Sequence, residues 1–332
     1  MKRRADHFTG IAAAMGVALL ILDSKTALIG AQEGVTMCIQ TVIPSLFPFF
    51  LFSILLTTSL IDRRLRILRP ICRLCRVPPG AESIMIAGFL GGYPVGAQCV
   101  SQAFEAGQLS AQDARRLLGF CSNCGPAFLF GMAASMFDKW WMPWVLWLIH
   151  IVSALMVGVV IPGSPIPCAS SETQRISPVE ALNRAVRIMA GVCGWVIMFR
   201  ILITFAQRWF LWALPTEYQV IFSGVMELSN GCIALGEVQN MSLRFMMCSG
   251  FLAFGGLCVT MQTLSVTSPR LDKSLYFPGK ILQCCISLAL ACVLEGASEP
   301  MILCVALLVG ASMSVFLRKI QNSGRNSVLV GV

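Results

Sequence analysis

Charge is what this 332-residue sequence has least of: Asp, Glu, Lys and Arg make up 12% of it, where a soluble domain carries about 25%. A chain missing half its usual charged side chains cannot cover a globular surface, so a soluble fold is excluded. Histidine is scarcer still, with only His7 and His150. The pairs Cys72/Cys75 and Cys121/Cys124 have the spacing of metal or redox sites, but two histidines leave little to complete a mixed zinc centre. No metal and no cofactor is expected. Also missing are HExxH, GxSxG with a later His, and paired Asp residues inside apolar runs, so the chain is not expected to be an enzyme. The run Gly91 to Gly96 fits GxxxxG, yet Ala97 and Gln98 stand where a phosphate loop needs Lys and Ser/Thr.

What is there is apolar. Hydrophobic residues form 56% of the chain, mean hydropathy is +0.76, and several runs reach the roughly 20 residues that a bilayer span needs. The net charge of +9 sits in clusters between these runs. They are Lys2 to Arg4; Arg63, Arg64, Arg66, Arg69, Arg73 and Arg76; Arg115 and Arg116; Arg175, Arg184 and Arg187; Arg270, Lys273 and Lys280; and Arg318, Lys319 and Arg325. One threading puts all of them on a single side, the positive-inside pattern. Both termini then lie in the cytoplasm, and nucleic acid is not a partner. The run Ile11 to Leu22 follows a basic N-terminus as in a signal peptide but lacks a small-residue cleavage site, so an uncleaved first helix is expected. Most of the 15 cysteines lie in apolar runs, where free Cys acts as a small hydrophobe.

The pattern predicts an all-α polytopic membrane protein with about eight transmembrane helices plus two re-entrant helical hairpins, arranged as an inverted repeat. The spans fall near 9–22, 35–61, 117–137, 140–161, 185–214, 243–266, 279–294 and 300–317, with hairpins near 82–104 and 220–238. Five segments follow: 1–34, an N-terminal helix and outer loop; 35–162, a first repeat; 163–184, a cytoplasmic linker rich in Pro and Ser; 185–317, a second, inverted repeat with a final helix; and 318–332, a cytoplasmic tail. In each half a long span precedes a short Gly-containing segment, then a helix broken near its middle, then a plain span. GFLGGYP from Gly88 corresponds to GVMELSNG from Gly224, and GFCSNCGP from Gly119 to GFLAFGG from Gly250. If only the first short segment crossed, Arg115 and Arg116 would move outside and the charge bias would collapse, so both short segments are expected to turn back. Interrupted apolar segments at matching places of two inverted halves point to the binding site of a secondary transporter.

The breaks carry the expected chemistry. Gly91 and Gly92 let the chain turn, Tyr93 sits at the tip, and Pro94 disrupts the helix. Ser122, Asn123 and Gly125, and then Gly255 and Gly256, offer the same device in the two broken spans. Irregular backbone at membrane depth is tolerated only where protein or water satisfies it, and N–H groups freed there make ready carboxylate or phosphate sites. Helix packing through glycine accounts for any single break; four in matching order suggest a polar pocket. Ionisable residues inside apolar runs are costly and functional. Glu227, beside Ser229 and Asn230, is expected to meet a coupling ion or a substrate hydroxyl, and Gln262 to hydrogen-bond a substrate. Arg200 is the candidate charge partner, for Glu227 or for an anionic substrate. His150 is expected to pack on a neighbouring helix.

In this order, GFLGGYPVGAQ, FCSNCGPAFLFG, GVMELSNG and AFGGLCVTMQ resemble the YlbJ/SpoVV sporulation integral membrane proteins of endospore-forming Firmicutes, within the wider nucleoside-recognition Gate domain group. The similarity spans roughly Val35 to Leu317, with departures at Cys124, Ala253, Cys258, Thr260 and Met261. The resemblance implies a transporter that moves dipicolinic acid, a planar pyridine dicarboxylate, from the mother cell across the outer forespore membrane. The partners it implies are a small anionic substrate, dipicolinate, and the lipid bilayer; a coupling ion and a homo-oligomer stay open. The alternatives are a nucleoside transporter, as among Gate relatives, and a non-transporting sporulation scaffold or assembly factor.

Overall fold

The computed structural model describes residues 2–60, 66–163, 166, 168, 176–296 and 298–329; Arg63, Arg64 and Arg175 of the basic clusters lie outside them. Among the described residues the regular structure is helical, with no strand. Helix α1 (Lys2–Leu22) meets α2 (Ser24–Met37) at Asp23, whose carboxylate caps α2 by accepting from the Thr26 N–H. Helix α2 runs through a wide turn, Cys38–Val42, into α3 (Ile43–Leu60). The widening has a local cause. Pro44 has no N–H to donate, and the Ile43 N–H reaches back to the Cys38 carbonyl.

Residues 24–34, expected as an outer loop, are therefore the start of the second long helix. A Cβ on Gly30 or Gly34 would stand 2.8 or 2.9 Å from the backbone of Ile201 or Ile197, so α2 lies at backbone distance from α10 (Pro178–Trp209). Close packing overrides the weak hydropathy that suggested a loop.

After α4 (Arg69–Leu74), helices α5 (Glu82–Leu90) and α6 (Val95–Glu105) form a hairpin that turns at 91–94. Helices α7 (Ala111–Leu118) and α8 (Pro126–Gly131) are parted by the non-helical stretch 119–125, and α9 (Met142–Val160) is plain. The second half follows the same order. Helix α10 starts inside the expected linker, where Ser177 caps it. A hairpin of α11 (Thr216–Met226) and α12 (Leu228–Ala234) turns at Glu227, a break at Gly255 divides α13 (Met241–Phe254) from α14 (Gly256–Val266), and α15 (Tyr276–Leu294) is plain. Helix α16 (Glu299–Leu329) runs on through most of the segment expected as a tail. Among the described residues six helical stretches are long and apolar enough to cross a bilayer: 24–56, 142–160, 178–209, 241–266, 276–294 and 301–318. The expected spans near 9–22 and 117–137 contribute only the shorter apolar pieces 13–22 and 126–136.

Polar contacts sort the loops into two groups. Arg115 pairs with Asp272 at 3.0 Å, the Ser268 N–H donates to Ser101, Arg76 donates to the Ile161 carbonyl, and the Cys168 N–H to the Pro79 carbonyl. These contacts gather the base of the first hairpin, the end of α9 and the loop after α14. At the opposite end, Arg244 donates to the carbonyls of Met136 and Val238, joining the segment after α8 to the base of the second hairpin. The bases of the two hairpins thus belong to different loop groups, and residues 91–93 and 227–229 of their turns come together. Lys280, counted with the basic cluster at the start of the span expected near 279–294, is in the second turn of α15 and 0% exposed.

Candidate functional site

A small, partly open pocket, with a cavity volume of about 40 Å³, lies where the hairpin tips, the first helix break and α3 converge. Gly91, Gly92 and Tyr93 face it from the first hairpin, Glu227 and Ser229 from the second, Gly125 from the first break and Gln262 from α14. Phe49, Phe50 and Phe128 give it aromatic walls.

The first hairpin sits here because two glycines allow it. A Cβ on Gly88 or Gly96 would come within 2.0 or 2.2 Å of the Cys121 carbonyl oxygen. The two arms clasp the backbone of the break directly, so close packing, rather than free N–H groups, is what these positions provide. Gly255 and Gly256 adopt φ of +81° and +84°, the left-handed region that glycine enters without strain. They stand outside the pocket lining: Gly255 backs the Tyr93 ring, and Gly256 backs the carbonyls of Gly224 and Val225. Pro94 caps α6 just beyond the lining.

Glu227 is 2% exposed and caps its own helix. Its Oε1 accepts from the Ser229 N–H at 3.0 Å, and its Oε2 accepts from the Asn230 N–H at 2.7 Å and from Asn230 Nδ2 at 2.8 Å. The carboxylate thereby answers the positive end of α12, which is not open to an outside anion. Asn230, behind the lining, extends the chain, since its Oδ1 accepts from Arg200 Nη1 at 3.0 Å. Arg200 gives Nε and Nη2 to Glu33 Oε2 at 3.0 and 2.8 Å. It therefore pairs with Glu33 and reaches Glu227 only through Asn230, because α2 is helical where a loop was expected.

Ser122 and Asn123 are buried but do not line the pocket; they belong to a second polar cluster. Lys280 Nζ donates to the Ser122 carbonyl at 2.8 Å and to Gln283 Oε1, and it lies 5.0 Å from the centre of the Tyr93 ring. Gln283 Nε2 donates to Asn123 Oδ1 at 3.1 Å, and Asn123 Nδ2 to the Phe120 carbonyl at 2.8 Å. His150 Nε2 accepts from the Cys124 N–H at 3.0 Å, tying the break to α9. Sequence reasoning missed Lys280, Gln283 and Glu33. The available signal for Lys280 was the apolar YFPG before it, which lets the helix start at Tyr276 and carries the lysine inside.

Among the described residues no three His, Cys, Asp or Glu side chains gather as a metal site, and all 15 cysteines are free. No family model and no solved structure matches this chain. The likeness suggested by the four motifs is found at the level of sequence: the chain is 25% identical over 315 residues, covering 80% of its own length and 77% of the other, to the sporulation integral membrane protein YlbJ of Bacillus subtilis (strain 168).

Proposed function

We propose that this chain is a secondary-type transporter of a small anionic metabolite, dipicolinate, moved from the mother cell towards the forespore during sporulation. The observation that carries the proposal is the pocket lined jointly by the turns of the two hairpins and the first helix break. In a bilayer this would amount to eight transmembrane helices and two re-entrant hairpins in an inverted repeat, with halves 35–162 and 185–317. Sites of secondary transporters lie at such a junction near the midplane. Likeness to a sporulation membrane protein supports the setting; the outer forespore membrane and cytoplasmic termini belong to the same reading.

A flat pyridine dicarboxylate suits a slot walled by Phe49, Phe50 and Phe128, with Ser229 and Gln262 as hydrogen-bonding groups. Glu227 repels an arriving carboxylate unless it carries a proton or a cation, which makes it the coupling residue of this mechanism. The test is uptake of labelled dipicolinate by vesicles containing the purified protein. Saturable uptake is expected, and Glu227→Gln should lower it by roughly tenfold, equivalent to about 1.4 kcal/mol. No uptake by the wild-type protein, together with normal spore dipicolinate in a deletion strain, would sink the proposal. A nucleoside is the second reading. Glu227 itself favours it, since a carboxylate, a hydroxyl and an amide suit sugar hydroxyls, and labelled nucleoside in the same vesicles separates the two.

A further inference from the structure

Lys280 Nζ is fully buried, and its hydrogen-bond partners, the Ser122 carbonyl and Gln283 Oε1, are both neutral. Among the described residues no carboxylate pairs with it; every ion pair lies elsewhere. Hydrogen bonds satisfy the donors of an ammonium but leave its charge uncompensated, and buried charges are otherwise paired. The third side of the ammonium faces the ring of Tyr93, 5.0 Å from its centre, and Tyr93 lines the pocket. The ammonium's backbone contact is in the same break that lines the pocket. Ser122 accepts from Lys280, while Cys124 and Gly125, two and three residues on, face the cavity. Gln283 is oriented for this role, because its Nε2 is held by Asn123 Oδ1 and its Oε1 is turned to the lysine.

We propose that Lys280 supplies the counter-charge for an anionic ligand of this pocket, with the Tyr93 ring as the partition between ammonium and cavity. The ligand class is an aromatic or small carboxylate, one oxygen of which replaces the π face of Tyr93 as the third partner of the ammonium when that ring moves aside. The inference rests on the anion-transport reading and gives it its one positive charge.

The test is the melting temperature and ligand affinity of the full-length, detergent-purified protein with three pyridine probes of decreasing negative charge: dipicolinate, picolinate and the uncharged diamide of dipicolinic acid. The variant is Lys280→Met. The unliganded variant removes a buried charge but leaves the Ser122 carbonyl and Gln283 Oε1 without their donor, so its melting temperature serves as the control that it still folds. Wild-type protein should bind dipicolinate more tightly than the diamide. Lys280→Met should lose roughly 30-fold for dipicolinate and change little for the diamide, as expected for one lost charge-assisted contact. If the variant binds dipicolinate as the wild type does, the role of Lys280 is overturned and the transport reading stands. Equal losses for dipicolinate and diamide would overturn it too, because a structural role weakens both alike. If the wild type binds neither carboxylate while binding a nucleoside, both the inference and the anion reading fall.

Discussion

At the scale of single residues, the positions least open to change are those where two backbones touch. Gly96 is the sharpest case, with a Cβ there 2.2 Å from the Cys121 carbonyl oxygen and 2.7 Å from the Gly88 Cα. Overpacking of this kind typically costs about 1–3 kcal/mol. Gly96→Ala is therefore expected to lower the melting temperature, while Gly194→Ala, with nothing within 4 Å, should leave it unchanged or raise it. Outside the spanning helices, burial pushes the Cys72 thiol up to about 12 and the Cys75 thiol up to about 11, the latter eased by the nearby Arg116. Only the thiolate is nucleophilic, so both should resist alkylation at neutral pH and react only as pH rises. Peptide-resolved iodoacetamide labelling checks this; rapid labelling of either at pH 7 would contradict it. Tyr93, Glu227, Ser229 and Gln262 were legible from sequence because a turn residue, or a polar residue inside an apolar run, announces itself locally. Lys280 was not, since its partners lie on the first break, 158 positions away at Ser122.

At the scale of elements, α2 and α10 are joined by the close approach at Gly30 and Gly34 and by the Arg200–Glu33 pair at 2.8 Å. The side chains of this pair are 20% and 46% exposed, so solvent screening holds its worth to no more than about 1 kcal/mol. Arg200→Ala should lower stability by about that amount, and the exchange of Glu33→Arg with Arg200→Glu should recover part of it in a double-mutant cycle. No recovery would mean that Arg200 acts mainly through Asn230. The all-helical character and the order of the apolar helices were visible in the alternation of apolar runs with Gly and Pro. The helical state of 24–34 was not, because its cause is a neighbour from the other half of the chain.

At the scale of the whole molecule, the two sets of loop contacts fix which loops share an end. Asp272 meets Arg115 at one end, and Glu237 lies by the Arg244 contacts at the other. In membranes, Asp272→Cys and Glu237→Cys should therefore label with an impermeant maleimide from opposite faces; labelling of both from one face would overturn the arrangement. The basic clusters anticipated the first grouping, with Arg76, Arg115 and the loop holding Arg270 at one end. They did not single out Lys280, since charge counting cannot distinguish a lysine beside the helix start from one inside it.

The α2–α10 contact also has a meaning in time. A ribosome makes roughly 5–20 residues per second, and 167 positions separate Glu33 from Arg200. For on the order of ten to thirty seconds the first long helix exists without the guanidinium that will pair with it. Its two small residues, shaped for a backbone not yet synthesised, face whatever surrounds the nascent chain. The half-made protein is thus most vulnerable to membrane quality control before α10 emerges, and stalling there should shorten its life more than stalling after it.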